Sequence, residues 1–272
     1  MKFPQILSTL TEEPLLITPT AHASLLKMFE DHSSLERVQF RAQREGVDWC
    51  GEAIEVEQAG LVDGIFYIPI GGPIGRGMGK FEIGAGCVDV QDVMDELDNF
   101  EADPNARACL FDIDSPGGMF AGTPELANRI MRCEKPTVSF MNMGCSAAFW
   151  LAIACDYAFA APSGDIGSIG VYSYFLDRSK QFADAGIKPV LVSSGQYKGA
   201  GAPGVPLTKA QLQNMQDRVN EMADMFYQFV EMRRPEASRE DMQGQTFKAA
   251  SAVQKGLIDG VMDSVRDVAA LL

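Results

Sequence analysis

Residues 136–155, PTVSFMNMGCSAAFWLAIAC, carry no charge over 20 positions in a chain that is 22% charged. No other stretch restricts the fold as much. Twenty apolar residues could cross a bilayer, but Pro136, Asn142, Gly144 and Ser146 interrupt the run, and ordinary globular sequence flanks it. Thr137 to Met141 is β-branched and aromatic and reads as a strand. Asn142 to Cys145 has turn chemistry, and Ala147 to Cys155 is rich in helix formers. One hydroxyl, Ser146, stands at the corner between them. A serine at a tight strand-to-helix turn is held in the open beside the backbone N–H groups of the helix start, which is where a nucleophile would sit. The same pattern also fits a buried strand-turn-helix with an incidental serine that bonds only locally.

The chain has 272 residues, 46% of them hydrophobic, which suits one α/β domain with an extension or two small domains. Its 37 acidic residues outnumber 23 basic ones, giving a net charge of −14. A surface of that sign repels phosphate backbones, so no nucleic-acid partner is expected. Met1 to Leu10 lacks a basic-then-apolar leader, and no stable membrane span is expected. The six cysteines show no CxxC spacing and mostly lie in apolar runs. They read as buried thiols of a reducing compartment, with neither disulfides nor a metal site and with no cofactor implied.

Histidines number two, His22 and His32, both N-terminal and read as surface residues. The corner at Gly144 to Ala148 loosely matches a nucleophile elbow, but that arrangement needs a histidine after the serine and none follows. Any base for Ser146 must be another residue. Lys198 is the only charged residue from Pro189 to Leu207 and has small and apolar neighbours in sequence. A lysine from which water is excluded loses basicity and can accept a proton at neutral pH; an exposed lysine on a flexible loop is the plainer alternative.

In chain order, residues 1–60 form a polar N-terminal extension with a short helix over Ala21–Phe29. A buried strand, Gly64–Ile70, opens the core, and the glycine-rich Gly71–Gly86 reads as a flexible loop without Walker spacing. Val88–Phe100 is helical by its apolar period. Ala108–Ile113 is a strand running into Ser115-Pro116-Gly117-Gly118, either a tight turn or a backbone oxyanion hole shared with Ala147 or Ser146. A helix over Pro124–Cys133, a strand over Tyr157–Ala160, a loop over Gly164–Gly170, a helix over Phe175–Ala185 and a strand over Pro189–Val192 follow. Gly199 to Gly204 matches GxGxxG literally, but Pro203 and Pro206 prevent the helix that a dinucleotide site requires. Thr208 and Gln211 form a capping box for a long helix with an apolar stripe from Leu212 to Phe229, and a short helix closes the chain. Strands alternating with helices indicate a parallel sheet.

Taken in order, SPGG at Ser115–Gly118, CSAAFWLA at Cys145–Ala152, GSIGV at Gly167–Val171, GQYKGAGAP at Gly195–Pro203 and GLIDG at Gly256–Gly260 resemble the signal peptide peptidase A (protease IV) family. The resemblance covers about residues 61–262. It implies a Clp/crotonase-type α/β fold of repeated ββα units with a mostly parallel sheet, carrying a helical N-terminal extension (1–60) and a C-terminal helix (263–272). It also implies a Ser–Lys peptidase: Ser146 as nucleophile, Lys198 as general base, Ser168 orienting the lysine, and the N–H groups of Gly117, Gly118 and Ala147 as the oxyanion hole. Family members form homo-oligomeric rings in which serine and lysine can come from neighbouring subunits. Two departures stand out. Ser146-Ala147-Ala148-Phe149 replaces the family's Ser-Gly-Gly-Tyr, which narrows the site, and Asp114 replaces an Asn before SPGG.

The opening from Pro14 to Leu26 is similar to that of head-maturation proteases of tailed phages. It implies a peptide or protein substrate, such as capsid or scaffold protein, cleaved in the host cytoplasm or the prohead interior. A cytosolic bacterial signal-peptide-peptidase-like protease, a crotonase-like acyl-CoA enzyme with no need of Ser146, and an inactive structural ring subunit are the competing readings.

Overall fold

The computed structural model describes residues 14–33, 46–47, 53–54 and 59–272; Cys50, the side chain of His32 and much of the polar N-terminal extension lie outside the described part. Strand β1 (Leu15–Ile17) leads into helix α1 (Pro19–Ser33), longer than the helix expected there, with Pro19 at its start where a missing N–H costs nothing. Two short strands, β2 (Gly46–Val47) and β3 (Ala53–Ile54), pair with each other. β4 (Gly60–Val62) and β5 (Ile65–Gly71) form a hairpin across Asp63-Gly64, both at positive φ (51° and 81°), as a two-residue turn between twisted strands requires.

The glycine-rich stretch expected to be a flexible loop is folded. It contributes β6 (Ile74–Gly75), α2 (Lys80–Gly84) and, just beyond, β7 (Val88–Asp89). The glycines serve close backbone contact there: a Cβ on Gly72 would lie 2.1 Å from the Gly86 carbonyl oxygen. Helix α3 (Val90–Ala102) is capped by the Asp89 carboxylate, which accepts the Gln91 N–H at 2.8 Å, and it buries Val90, Val93, Leu97 and Phe100.

The central layer then assembles from β8 (Ala108–Ser115), β9 (Gly117–Met119), α4 (Thr123–Met131), β10 (Thr137–Cys145), α5 (Ala147–Ala154) and β11 (Tyr157–Gly167). Downstream lie α6 (Ser179–Asp184), α7 (Lys209–Arg233), β12 (Thr246–Lys248), α8 (Ala249–Gln254), β13 (Gly260–Val261) and α9 (Val265–Ala269). The main sheet runs β12-β11-β10-β8-β5-β4, with β13 also pairing β11. The inner pairs β5–β8, β8–β10 and β10–β11 are parallel, so the expected mixed α/β architecture with a mostly parallel sheet is what the chain forms. Thr137–Met141 of β10 is buried throughout, as befits a central strand covered on both faces. A second sheet, β1-β9-β6-β7, stands at the carboxyl ends of the main strands.

Helix α5 is buried on every side, which marks it as the core of the domain rather than its surface. Trp150 stacks on Phe226 of α7 with centroids 4.4 Å apart and also meets Phe229 and Phe120. Arg233, at the end of α7, donates from Nε to the Ile153 carbonyl at 2.8 Å and from its guanidinium to the Cys155 carbonyl, closing carbonyls that the end of α5 leaves open.

Three expectations need correction. Pro189–Val192 forms no strand; it finds no sheet edge, and Val190 and Val192 are 80% and 91% exposed. β11 does not stop at Ala160 but runs to Gly167, because Asp165, Ile166 and Gly167 have partners on both sides, in β10 and β12. Asn142–Cys145 forms no turn but the end of β10, because Met143 and Gly144 pair with both β8 and β11. The apolar stripe of α7 is buried in its second half, at Phe226, Phe229 and Val230, whereas Leu212 is 51% exposed. The capping box at Thr208 and Gln211 forms as expected, with both reciprocal bonds present.

Candidate active site

β10 delivers Ser146 to the carboxyl end of the parallel sheet, the end at which open α/β sheets bind ligands. Its neighbours in register are the ends of β8 (Gly144 opposite Ser115) and β11 (Cys145 opposite Gly167). Ser146 is the N-cap of α5, but its side chain makes no capping bond, so the hydroxyl is not spent on its own helix. Its backbone is at φ 57°, ψ −116°, a conformation that costs a non-glycine residue about 1–3 kcal/mol. Two bonds hold it there: Ser146 N–H donates to the Gly167 carbonyl at 2.7 Å, and Trp150 N–H donates to the Ser146 carbonyl at 3.0 Å.

The SPGG segment is not a bare turn. Gly117 and Gly118 belong to β9, sandwiched between β1 and β6. A Cβ on Gly117 (φ 99°) would lie 2.1 Å from the Leu16 carbonyl oxygen, 2.9 Å from that of Cys145 and 3.0 Å from the Ser146 Cβ. A Cβ on Gly118 would lie 1.8 Å from the Ile74 carbonyl oxygen. Only glycines let these backbones meet. The Gly117 N–H donates to the buried Ser115 Oγ at 3.2 Å, so it is already engaged. Ala147 is the first residue of α5, where the helix itself offers its N–H no partner. Asp114 keeps an exposed side chain, and partial desolvation raises its carboxyl above its ordinary value.

Ser168 adjoins Gly167 and is also a strained non-glycine residue (φ 52°). It is buried, and its N–H donates to the Gln245 carbonyl at 2.7 Å. The structure therefore brings Ser146, Gly117, Gly118, Ala147 and Ser168 to one corner. Lys198 is different. It stands exposed in a turn, its N–H bonded to the Gly195 carbonyl at 3.0 Å and its carbonyl accepting the Ser193 hydroxyl at 2.8 Å. Among the described residues no hydrogen bond or ion pair joins its ammonium to Ser146 or Ser168. The dry surroundings expected for it are absent from the single chain, because Val190, Val192 and Tyr197 around it face outward instead of covering it.

Two features at this corner were not anticipated. β1 pairs with β9 and covers the serine corner, and His22, expected at the surface, is buried, its Nδ1 2.8 Å from the Tyr172 hydroxyl. The run Leu15–Ile17 is too short to announce a strand, and His22 is buried only because α1 folds back over Tyr172 and Tyr174. Among the described residues no group of acidic, histidine and cysteine side chains could hold a metal ion, and no helix is long and apolar enough to cross a membrane.

A mostly parallel α/β sheet with a strained serine at the carboxyl end of its central strand, faced by a glycine strand, defines a protein of the Clp/crotonase architecture. Residues 130–271 match the model of peptidase family S49, and the chain belongs to that family. It is 29% identical over 95% of its length to the head-tail preconnector protein GP5 of Enterobacteria phage P21, of which it covers 55%. It is 26% identical over 75% of its length to the capsid assembly protease C of Escherichia phage lambda, covering 48% of it. A putative signal peptide peptidase SppA of Enterococcus faecium is 24% identical over 63% of the chain, which covers 52% of that protein. The chain thus spans about half the length of the curated relatives it matches.

Proposed function

We propose that the chain is a serine endopeptidase of phage head assembly, with Ser146 as nucleophile and Lys198 as general base. The observation that carries this reading is the strained Ser146 backbone, pinned by Gly167 and set against Gly117, with its hydroxyl free of the helix cap. Strain of that kind persists only where surrounding structure enforces it, and it gathers at reacting groups. The similarity to a capsid assembly protease of phage lambda and a head-tail preconnector protein of phage P21 supports a protein of the assembling capsid as the substrate.

In the proposed reaction neutral Lys198 accepts the Ser146 hydroxyl proton as Oγ bonds to the peptide carbonyl carbon. The N–H groups of Gly118 and Ala147 hold the negative oxygen, while Gly117 shapes the strand. Collapse breaks the C–N bond, and Lys198 returns its proton to the leaving amine. Water then hydrolyses the acyl-enzyme by the same route. Ser168 orients the lysine. For Lys198 to be neutral near pH 7 it must lose water contact, and a ring of subunits covering the exposed Ile187, Val190, Val192 and Tyr197 would remove it.

The test is labelling by a fluorophosphonate probe with mass-spectrometric mapping. Label on Ser146, lost in Ser146→Ala and slowed in Lys198→Ala, is expected. Label elsewhere, or none on the assembled protein, would overturn the assignment.

A further inference from the structure

β1 reaches β9 from far away in sequence and lies along it antiparallel, with Leu15 opposite Met119, Leu16 opposite Gly118 and Ile17 opposite Gly117. On its other side, Leu15 exchanges two backbone bonds with Tyr172: Leu15 N–H to the Tyr172 carbonyl at 2.8 Å, and Tyr172 N–H to the Leu15 carbonyl at 3.2 Å. A three-residue strand is thus held on both edges between the glycine strand and the segment that follows Ser168.

The register has chemical content. Antiparallel ladders alternate bonded and non-bonded pairs. Thr18 N–H donates to the Pro116 carbonyl at 3.1 Å, which makes Leu16 and Gly118 the next bonded position. The Leu16 carbonyl therefore faces Gly118, and it shares one Cβ-sized space above Gly117 with the Ser146 Cβ. A carbonyl presented to the glycine strand, next to the serine, is where a peptide substrate would have to place its scissile group. Ser146 is only 1% exposed with this strand in place.

We propose that residues 14–18 occupy the substrate strand's own seat as a built-in mimic, and that a peptide substrate binds by replacing β1 between β9 and Tyr172. This rests on reading Ser146 as the reacting group only for the location of the seat. The occupant also defines what the seat accepts: an extended apolar segment whose alternate side chains point to opposite sides. Leu16 enters the main core, and Leu15 and Ile17 line a small apolar cavity with Leu25, Ile74, Met78 and Met119. The short β1 is joined to the rest by α1, whose contacts include the His22–Tyr172 bond, so displacement of the strand requires only local opening. A tethered strand competes at an effective concentration that a free peptide must overcome, so the single chain is held back until β1 leaves.

The experiment uses the full chain carrying Ser146→Ala, so that binding is read without chemistry. The probe is a fluorescein-labelled peptide of residues 13–19, EPLLITP. Adding Leu15→Asp and Ile17→Asp to the chain should tighten peptide binding about tenfold or more in an anisotropy titration, because the competent state becomes more populated. Unchanged affinity, or no binding after β1 is disabled, overturns the proposal. A second measurement needs no substitution in β1: hydrogen exchange of the Ser146→Ala chain with saturating peptide. Faster exchange at the Leu15 and Leu16 amides with β10 unchanged is expected; bound peptide with those amides still protected overturns it. Success here with no fluorophosphonate label on the wild-type serine would remove the nucleophile and leave the seat standing.

Discussion

The Ser146 amide donates to the Gly167 carbonyl at 2.7 Å, and that bond ties together two turns whose serines, 146 and 168, both sit at positive φ. The end of β10 and the end of β11 strain each other into place. Neither serine needs a local sequence that favours its conformation, because the paired strands impose it.

Replacing Ser146 with glycine should therefore separate strain from chemistry. Glycine adopts the observed backbone freely, so Ser146→Gly should raise stability by about 1 kcal/mol in urea unfolding while abolishing fluorophosphonate labelling. A loss of stability would show that the serine side chain contributes more than its backbone costs.

The glycine strand should not tolerate a methyl group. Gly117→Ala places a carbon 2.1 Å from the Leu16 carbonyl oxygen, whereas Gly60→Ala meets nothing within 4 Å. The first should cost about 1–3 kcal/mol and release β1, read by hydrogen exchange at Leu15–Ile17; the second should change stability by less than about 0.5 kcal/mol.

Lys198 offers a test of role without a folding complication. It is exposed in the single chain, so Lys198→Ala should leave the unfolding midpoint nearly unchanged. Peptide hydrolysis by the assembled protein should fall about 10²–10⁴-fold. Wild-type turnover in that variant would move the base to another residue.

Asp259 gives a pH dependence. Burial alone raises its carboxyl, but hydrogen bonds from Arg234 at 2.7 and 2.8 Å and from the Ala158 N–H at 2.7 Å overcome that and hold it below its ordinary value. A depressed folded value stabilises the fold above the unfolded carboxyl's pKa and loses that contribution as pH falls through the folded one. Asp259→Asn should cost about 1–2 kcal/mol near neutrality, modest because the pair is partly solvated, and the difference from wild type should shrink below about pH 4. A gap that persists in acid would mean the charge contributes nothing.

How much of this was readable depended on whether the signal was local. The run from Pro136 to Cys155 announced a buried strand and a buried helix because both faces are covered and no polar face competes, but the turn expected at Asn142–Cys145 is strand, held extended by its neighbours in the sheet. The capping box at Thr208 and Gln211 was legible because its two bonds span three residues. SPGG and the Ser146 corner could be paired as candidates, since each carries its own turn chemistry. What could not be read was long-range. Leu15–Ile17 becomes a strand only because β9 and Tyr172 offer edges to it. Val190–Val192 has strand composition but meets no such edge within one chain. The last residues of β11, Ser163 to Gly167, look like a loop in composition and are extended only because β10 and β12 flank them.

Trp150 lies one helical turn beyond Ser146, stacked on Phe226, and its indole N–H has no partner among the described residues. An indole so isolated from water emits at short wavelength, and the chain's other tryptophan, Trp49, can be exchanged for phenylalanine to leave a single fluorophore. The ring stack joining α5, α7 and Phe120 thus doubles as an intrinsic optical gauge: any rearrangement of β9 or α7 that loosens it should appear as a red shift, with no dye attached.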